Sequence, residues 1–183
     1  MPVIELTTRI EAPIERVFDL SRSIDLHAAS MTRHSEQIVD GVTTGLINLG
    51  ESVTWRARHF DLWLTLTSRV TALDSPTYFR ETMVRGAFKR FDHDHFFAPD
   101  GNWTFMKDVF DYTSPLGTLG IADRVFLTQY MTNLLAERNA VIKTVAESNQ
   151  WKSYLPVLRD EVAMAFEETW QQDEAGYRYL KDR

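Results

Sequence analysis

Residues 88–112 read FKRFDHDHFFAPDGNWTFMKDVFDY. Two runs in this stretch, Phe88–Phe97 and Trp103–Tyr112, alternate apolar and polar side chains, as strands with one covered face do. Between them Pro99-Asp100-Gly101-Asn102 supplies turn chemistry, so the segment predicts an antiparallel hairpin. His93 and His95 lie two apart and share a face of the first strand. Asp92 and Asp94 alternate with them, point the other way and are expected to be solvated. Asp108 lies on the partner strand.

The same period of two runs back toward the N-terminus through Thr77–Val84, Leu62–Leu73, Glu51–Phe60 and Glu36–Val42. In Glu51–Phe60, Val53, Trp55, Ala57 and His59 face one way and Thr54, Arg56 and Arg58 the other. In Leu62–Leu73 the apolar face is Leu62, Leu64, Leu66, Val70 and Ala72. Asp74-Ser75-Pro76 reads as a turn, and Gly41, Gly45 and Gly50 punctuate a loop. The chain opens with a strand, Ile4–Glu11, stopped by Ala12-Pro13. A short helix follows over Pro13–Leu20, with Ile14, Val17 and Phe18 at helical spacing. A second runs to about Met31, capped by Asp25 or Ser23.

Beyond the hairpin, Thr113–Gly120 reads as a Pro/Gly loop, with Gly117 and Gly120 placed for a moving gate. A helix then runs from about Ile121 to Glu147. Its stripe is Leu127, Met131, Leu134, Leu135, Arg138, Val141, Ile142 and Val145. At 1.5 Å per residue it spans about 40 Å, enough to lie along the concave face of a curved sheet. Residues 149–183 read as an addition, a helix starting at Pro156 with Leu158, Val162, Ala165, Phe166 and Trp170 in its stripe and Gly176 ending it. That helix is expected to pack back, to pair two copies as a homodimer, or to cover a pocket mouth. The division expected is one domain over 1–148 and a helical extension over 149–183.

The chain has 183 residues, 20 Lys+Arg against 26 Asp+Glu, a formal charge of −6 and no Cys. Disulfides, thiolate metal sites and Cys nucleophiles are thereby excluded. The acidic balance argues against nucleic acid as a partner. No apolar run is long enough for a membrane span, and a cytoplasmic location is the expectation. Aromatic residues make up 12% of the chain, enough for either a large core or a lined pocket.

The order strand, two short helices, six antiparallel strands, long helix resembles the helix-grip fold, an α+β architecture. This is the START-related superfamily that also holds pollen-allergen-like proteins and polyketide cyclases, often labelled SRPBCC. Three stretches carry the resemblance: Ile10–Phe18 with its Ala12-Pro13, the aromatic-x-His-x-His run at Phe91–His95, and Asp108–Tyr112 followed by Ser114-Pro115-Leu116-Gly117. The last two, with Arg138, are similar to a bacterial branch of that superfamily, in which Trp is more usual than Phe at position 91. The resemblance spans about Val3 to Ala146. It implies a curved sheet of about seven strands around the long helix, with a cavity between them for small apolar molecules. It names no ligand, and no cofactor is implied.

Trp55, Phe79, Met83, Phe88, Met106 and Phe110 are the expected apolar lining, together with Tyr112, Tyr130 and Met131; Met and aromatic side chains suit an adaptable site. Arg138 interrupts an apolar stripe and needs a carboxylate, Asp108 or Glu81, or the acid group of a ligand. His93 and His95 can ligate one metal with Asp108 or Glu81, yet a hydrogen-bonded cluster that orders the wall explains them as well, and no metal is expected. His27, His34 and His59 read as surface or satisfied groups. No nucleophile motif is present.

Binding of a small hydrophobic ligand is therefore the leading expectation, and catalysis is left open. The alternatives are a cyclase/aromatase- or hydrolase-like enzyme, using His93 or His95 as base with Asp108 orienting it, and a protein-interaction module working through the C-terminal helix.

Overall fold

The computed structural model describes residues 2–31, 36–59, 61–114 and 121–155. Its strands are β1 Val3–Ile10, β2 Gln37–Gly41, β3 Ser52–His59, β4 Leu62–Asp74, β5 Tyr78–Arg85, β6 Arg90–Asp100 and β7 Trp103–Thr113. Helices α1 Ile14–Ser21 and α2 Ile24–Ser30 follow β1, α3 Ile121–Ala146 follows β7, and a 3-10 turn spans Asn149–Ser153. The strands form one sheet in the order β1-β7-β6-β5-β4-β3-β2, antiparallel throughout. Among the described residues, no helix is long and apolar enough to cross a membrane.

The central hairpin is tighter than the four-residue loop expected. Pro99 pairs with Thr104 and Asp100 with Trp103, which leaves Gly101-Asn102 as the turn; Gly101 takes the positive φ of 60° that the reversal needs. Pro99 lies past the last β5–β6 pair, Tyr78↔Phe96, so no neighbouring strand needs the N–H it lacks. In β4 the pairing slips between Val70 and Ala72. This bulge inverts the phase of the strand, so Leu73, not Ala72, follows Val70 onto the inner face and joins the core.

Of the two caps offered for α2, Ser23 is used: its hydroxyl accepts from Leu26 N–H at 3.3 Å. Asp25 instead accepts from the Thr44 hydroxyl and from Gly45 N–H at 2.7 Å, tying the loop before β3 to the helix. Asp92 and Asp94 do face outward, but they are ion-paired rather than simply solvated. Asp94 takes both arms of Arg80 and the Tyr78 hydroxyl. Asp92 takes the Thr82 hydroxyl and Arg90. Arg90 also pairs with Asp111 of β7, so this lattice fastens β5, β6 and β7 from the outer side.

One end of the groove between sheet and helices is filled. Ile10, Val17, Phe18, Leu20, Leu26, Phe79, Phe97, Met106 and Ile142 form a continuous buried core there, with Val145 and Ala146 at the end of α3. Trp151, Tyr154 and Leu155 pack against the same core, and Arg16 lies over the Trp151 ring at 4.5 Å. The chain just past residue 148 thus rests on the main fold. The remainder of the expected extension (156–183), the loop glycines Gly117 and Gly120, and His34 lie outside the described residues.

Candidate functional site

The inner faces of β5, β6, β7 and α3 repeat one order. On β5 it runs Phe79, Glu81, Met83; on β6 Phe97, His95, His93, Phe91; on β7 Met106, Asp108, Phe110; on α3 Ile142, Asn139 and Arg138, Leu135. Register aligns the middle members: His95 is flanked by Phe79 and Asp108, and His93 by Glu81 and Phe110. A polar belt therefore crosses the groove between two apolar zones.

Asp108 is the hub of the belt and is fully buried. His93 Nε2 donates to its Oδ1 at 3.0 Å, and His95 Nδ1 lies 2.8 Å from the same oxygen. Asn139 Nδ2 donates to Oδ2 at 2.6 Å. Arg138 reaches within 3.6 Å of Oδ1 with one nitrogen and donates to the Ser21 carbonyl at 2.7 Å with another. Arg138 thus finds Asp108, one of its two expected carboxylate partners.

Burial pushes the Asp108 carboxyl up, but the bonds from His93 and His95 overcome it and hold the group well below the usual carboxylate range. Burial drives the His95 imidazole down to about 4, and the neighbouring His93 adds to the fall, so His95 is neutral at pH 7. Glu81 is likewise pushed up by burial and then held below its ordinary value by His95, His93 and Arg138.

On the side of the belt away from the filled core lies a cavity of about 610 Å³ between α3 and the sheet. Trp55, Glu81, Phe88, His93, Phe110, Tyr130, Met131 and Arg138 line it. Asp108 and His95 do not; they lie behind its wall. Phe79 and Met106 share the inward parity of the lining but sit in the filled core. Tyr112 is buried beside Phe88 and shares a 2.9 Å hydrogen bond with Thr128. Met83 packs in the cluster around Phe110, off the cavity wall. For these four the expected lining role is corrected, because position along the strand, and not parity, decides which apolar side chain meets the void.

Other wall residues carried no signal of their own. Leu62, Leu64 and Leu66 of β4 form one wall, and Leu127, Leu134 and Leu135 of α3 face them. Their periodicity announces an inner face without saying that the face is unfilled. His27 and His59, read as surface or satisfied groups, both line the cavity. His27 stacks on Trp55 at 4.3 Å and its Nε2 lies 3.2 Å from Glu36. His59 Nδ1 bonds the Tyr130 hydroxyl at 2.6 Å. Burial, and then Glu137, raise the Tyr130 phenol, so it keeps its proton. Leu62 and Phe126 touch the cavity yet are 64% and 60% exposed, and they mark its rim.

No family model matches the chain, and no curated relative matches it. Solved structures do. A START superfamily protein from Mycobacterium smegmatis is 10% identical with a TM-score of 0.62, over 79% of this chain and 97% of that one. A ginseng major latex-like protein from Panax ginseng is 15% identical with a TM-score of 0.60, over 80% and 98%. A Thermus thermophilus protein is 17% identical with a TM-score of 0.59, over 79% and 99%. At these identities the likeness concerns architecture: the chain has the helix-grip fold.

Proposed function

We propose that the chain binds one small, mainly apolar molecule in the cavity, with the polar belt fixing one end of the guest. The observation that carries this is the cavity itself. Its volume of about 610 Å³ falls inside the range of roughly 300–1,000 Å³ common to ligand sites. Its wall is mostly Leu, Met and aromatic side chains, with Glu81, His93 and Arg138 gathered at one end. Each 100 Å² of apolar guest surface removed from water contributes about 2.5 kcal/mol before the costs of association. A hydrophobic guest carrying one polar head suits that division. Native mass spectrometry of the purified chain, before and after organic extraction, tests the reading. A co-purifying small molecule that extraction removes is the expected result. A chain that arrives empty and takes up no apolar probe contradicts it.

A second reading has an observation of its own. Asp108 holds His93 by Nε2 while His93 opens to the cavity. This arrangement orients an imidazole to take a proton from a bound guest, as a cyclase- or hydrolase-like enzyme requires. Once a guest is identified, His93→Gln separates the readings. An enzyme loses turnover by about 100-fold or more with guest affinity nearly intact; a binding protein has no turnover to lose.

A further inference from the structure

Glu81, His93 and His95 each bring one potential ligand atom within 4.8 Å of the other two. The strand register produces this triangle: Glu81 stands directly across from His93, and His95 follows two residues along the same face. We propose that these three residues form a site for one divalent transition-metal ion on the cavity wall. The proposal does not depend on which apolar guest the cavity takes.

The clearest sign is His95. It is wholly buried; its Nδ1 faces Asp108 Oδ1 at 2.8 Å, and its Nε2 has no hydrogen-bond partner. A ring nitrogen left unpartnered in a protein interior is costly, and a bound cation removes that deficit. The ring is also held for the purpose. Phe79 stacks on it at 4.1 Å, and the His93 ring lies 3.9 Å away on its other neighbour position along the strand.

Asp108 supplies the outer carboxylate that metal-ligating histidines commonly carry. As an anion it can only accept, so His93 must donate from Nε2, which leaves the Nδ1 lone pair for coordination. Two imidazoles and one carboxylate, with no thiolate anywhere in the chain, make a nitrogen/oxygen set suited to Zn²⁺ or Co²⁺. Ligand atoms about 2.1 Å from a tetrahedral ion stand roughly 3.4 Å apart. The three atoms lie within 4.8 Å of one another, so binding an ion draws them together by up to about 1.4 Å. The charges are compatible. Glu81 and Asp108 bring two negative charges against the one positive charge of Arg138, so a dication leaves a single positive charge for a hydroxide or an anionic guest. Since Glu81 and His93 line the cavity, a remaining coordination position opens toward the guest.

The experiment uses the full chain, purified without a histidine tag, stripped with chelator and titrated with Zn²⁺ by calorimetry and with Co²⁺ by absorption spectroscopy. One equivalent per chain is expected, with the visible bands of a four- or five-coordinate Co²⁺. Glu81→Gln and His93→Gln should each weaken uptake by at least about 10-fold. His27→Gln and His59→Gln should leave it unchanged. Glu81→Gln carries the test if His93→Gln does not fold, because its side chain is half-buried on the cavity wall and the change is nearly isosteric. No stoichiometric uptake, uptake that survives Glu81→Gln, or loss in the His27 or His59 variants would overturn the assignment. Retained binding of an apolar probe by the stripped chain would leave the ligand-binding reading standing while the metal site fails.

Discussion

The two ends of the groove under α3 are built from the same materials and have opposite outcomes. At the C-terminal end of α3, helices α1 and α2 fold down on the sheet, and Phe18 meets Phe79 and Phe97 edge-on at 5.7 Å and 5.3 Å. At the other end, among the described residues, Leu66, Phe110, Leu134 and Leu135 face a void. Apolar residues alone therefore do not decide between core and cavity. What decides is whether a second layer of side chains arrives to fill the space. The polar belt marks the border, and it serves both sides: His95 stacks on the filled zone while His93 opens to the hollow one.

Truncation probes that contrast most strongly. Phe79→Ala removes a ring locked among Phe18, His95 and Phe97, and should lower stability by about 3–5 kcal/mol. Leu134→Ala, on the void, should lower it by under about 1.5 kcal/mol, since fewer contacts are lost. Urea denaturation midpoints measure both. Equal losses would mean that the hollow end closes up in solution.

The border comes next. Asp108→Asn replaces the anion that gathers His93, Asn139 and Arg138, and leaves a buried guanidinium short of its counter-charge. A loss of about 3 kcal/mol is expected, read by the same midpoints. A loss below about 1 kcal/mol would show that the belt is hydrated and open.

Acid should weaken the metal-stripped chain earlier than carboxylates alone would. His95 moves from 6.5 in the unfolded chain to about 4 in the folded one. The unfolded chain therefore takes up the proton first. This contribution is fully present above pH 6.5 and disappears as pH falls toward 4, for a total of up to about 3 kcal/mol. Asp108 and Glu81, both lowered, act in the same direction, but only below their unfolded values of 3.8 and 4.5. Denaturation midpoints between pH 7.5 and pH 5 should fall, and His95→Gln should flatten the slope.

The smallest stability effect belongs to the cavity. Ala57→Phe projects a ring from β3 into the void. It should shift stability by less than about 1 kcal/mol, because the space is empty, while weakening binding of an apolar fluorophore by about 10-fold or more. A large destabilisation would place Ala57 in a packed wall.

Much of this was legible in residue order. Strict alternation in Glu51–Phe60 and the stripe of α3 led directly to a sheet gripping a helix. A signal for the facing of His93 and His95 was also present: Phe91 and Phe97 share their parity, while Asp92 and Asp94 take the other. Less could be read where position along a strand mattered. Phe79 and Phe110 look alike in sequence, yet one is core and the other cavity wall, because α1 covers only one of them. The bulge after Val70 was invisible, since Thr71 and Ala72 fit an ordinary strand. The roles of His27 and His59 depend on α2 and α3 lying over β3, which no local pattern encodes. Glu81 was recognised as a carboxylate within reach of the histidines, but its place opposite His93 required the β5–β6 register.

The difference between the two ends is tested most directly by amide chemical-shift mapping during titration with an apolar fluorophore or a medium-chain fatty acid. Saturable shifts should appear at Trp55, Leu66, Phe88, Leu134 and Leu135, with Phe18, Phe97 and Met106 unmoved. Shifts scattered over both ends, or none at any probe concentration short of aggregation, would contradict a preformed hollow and the binding role built on it.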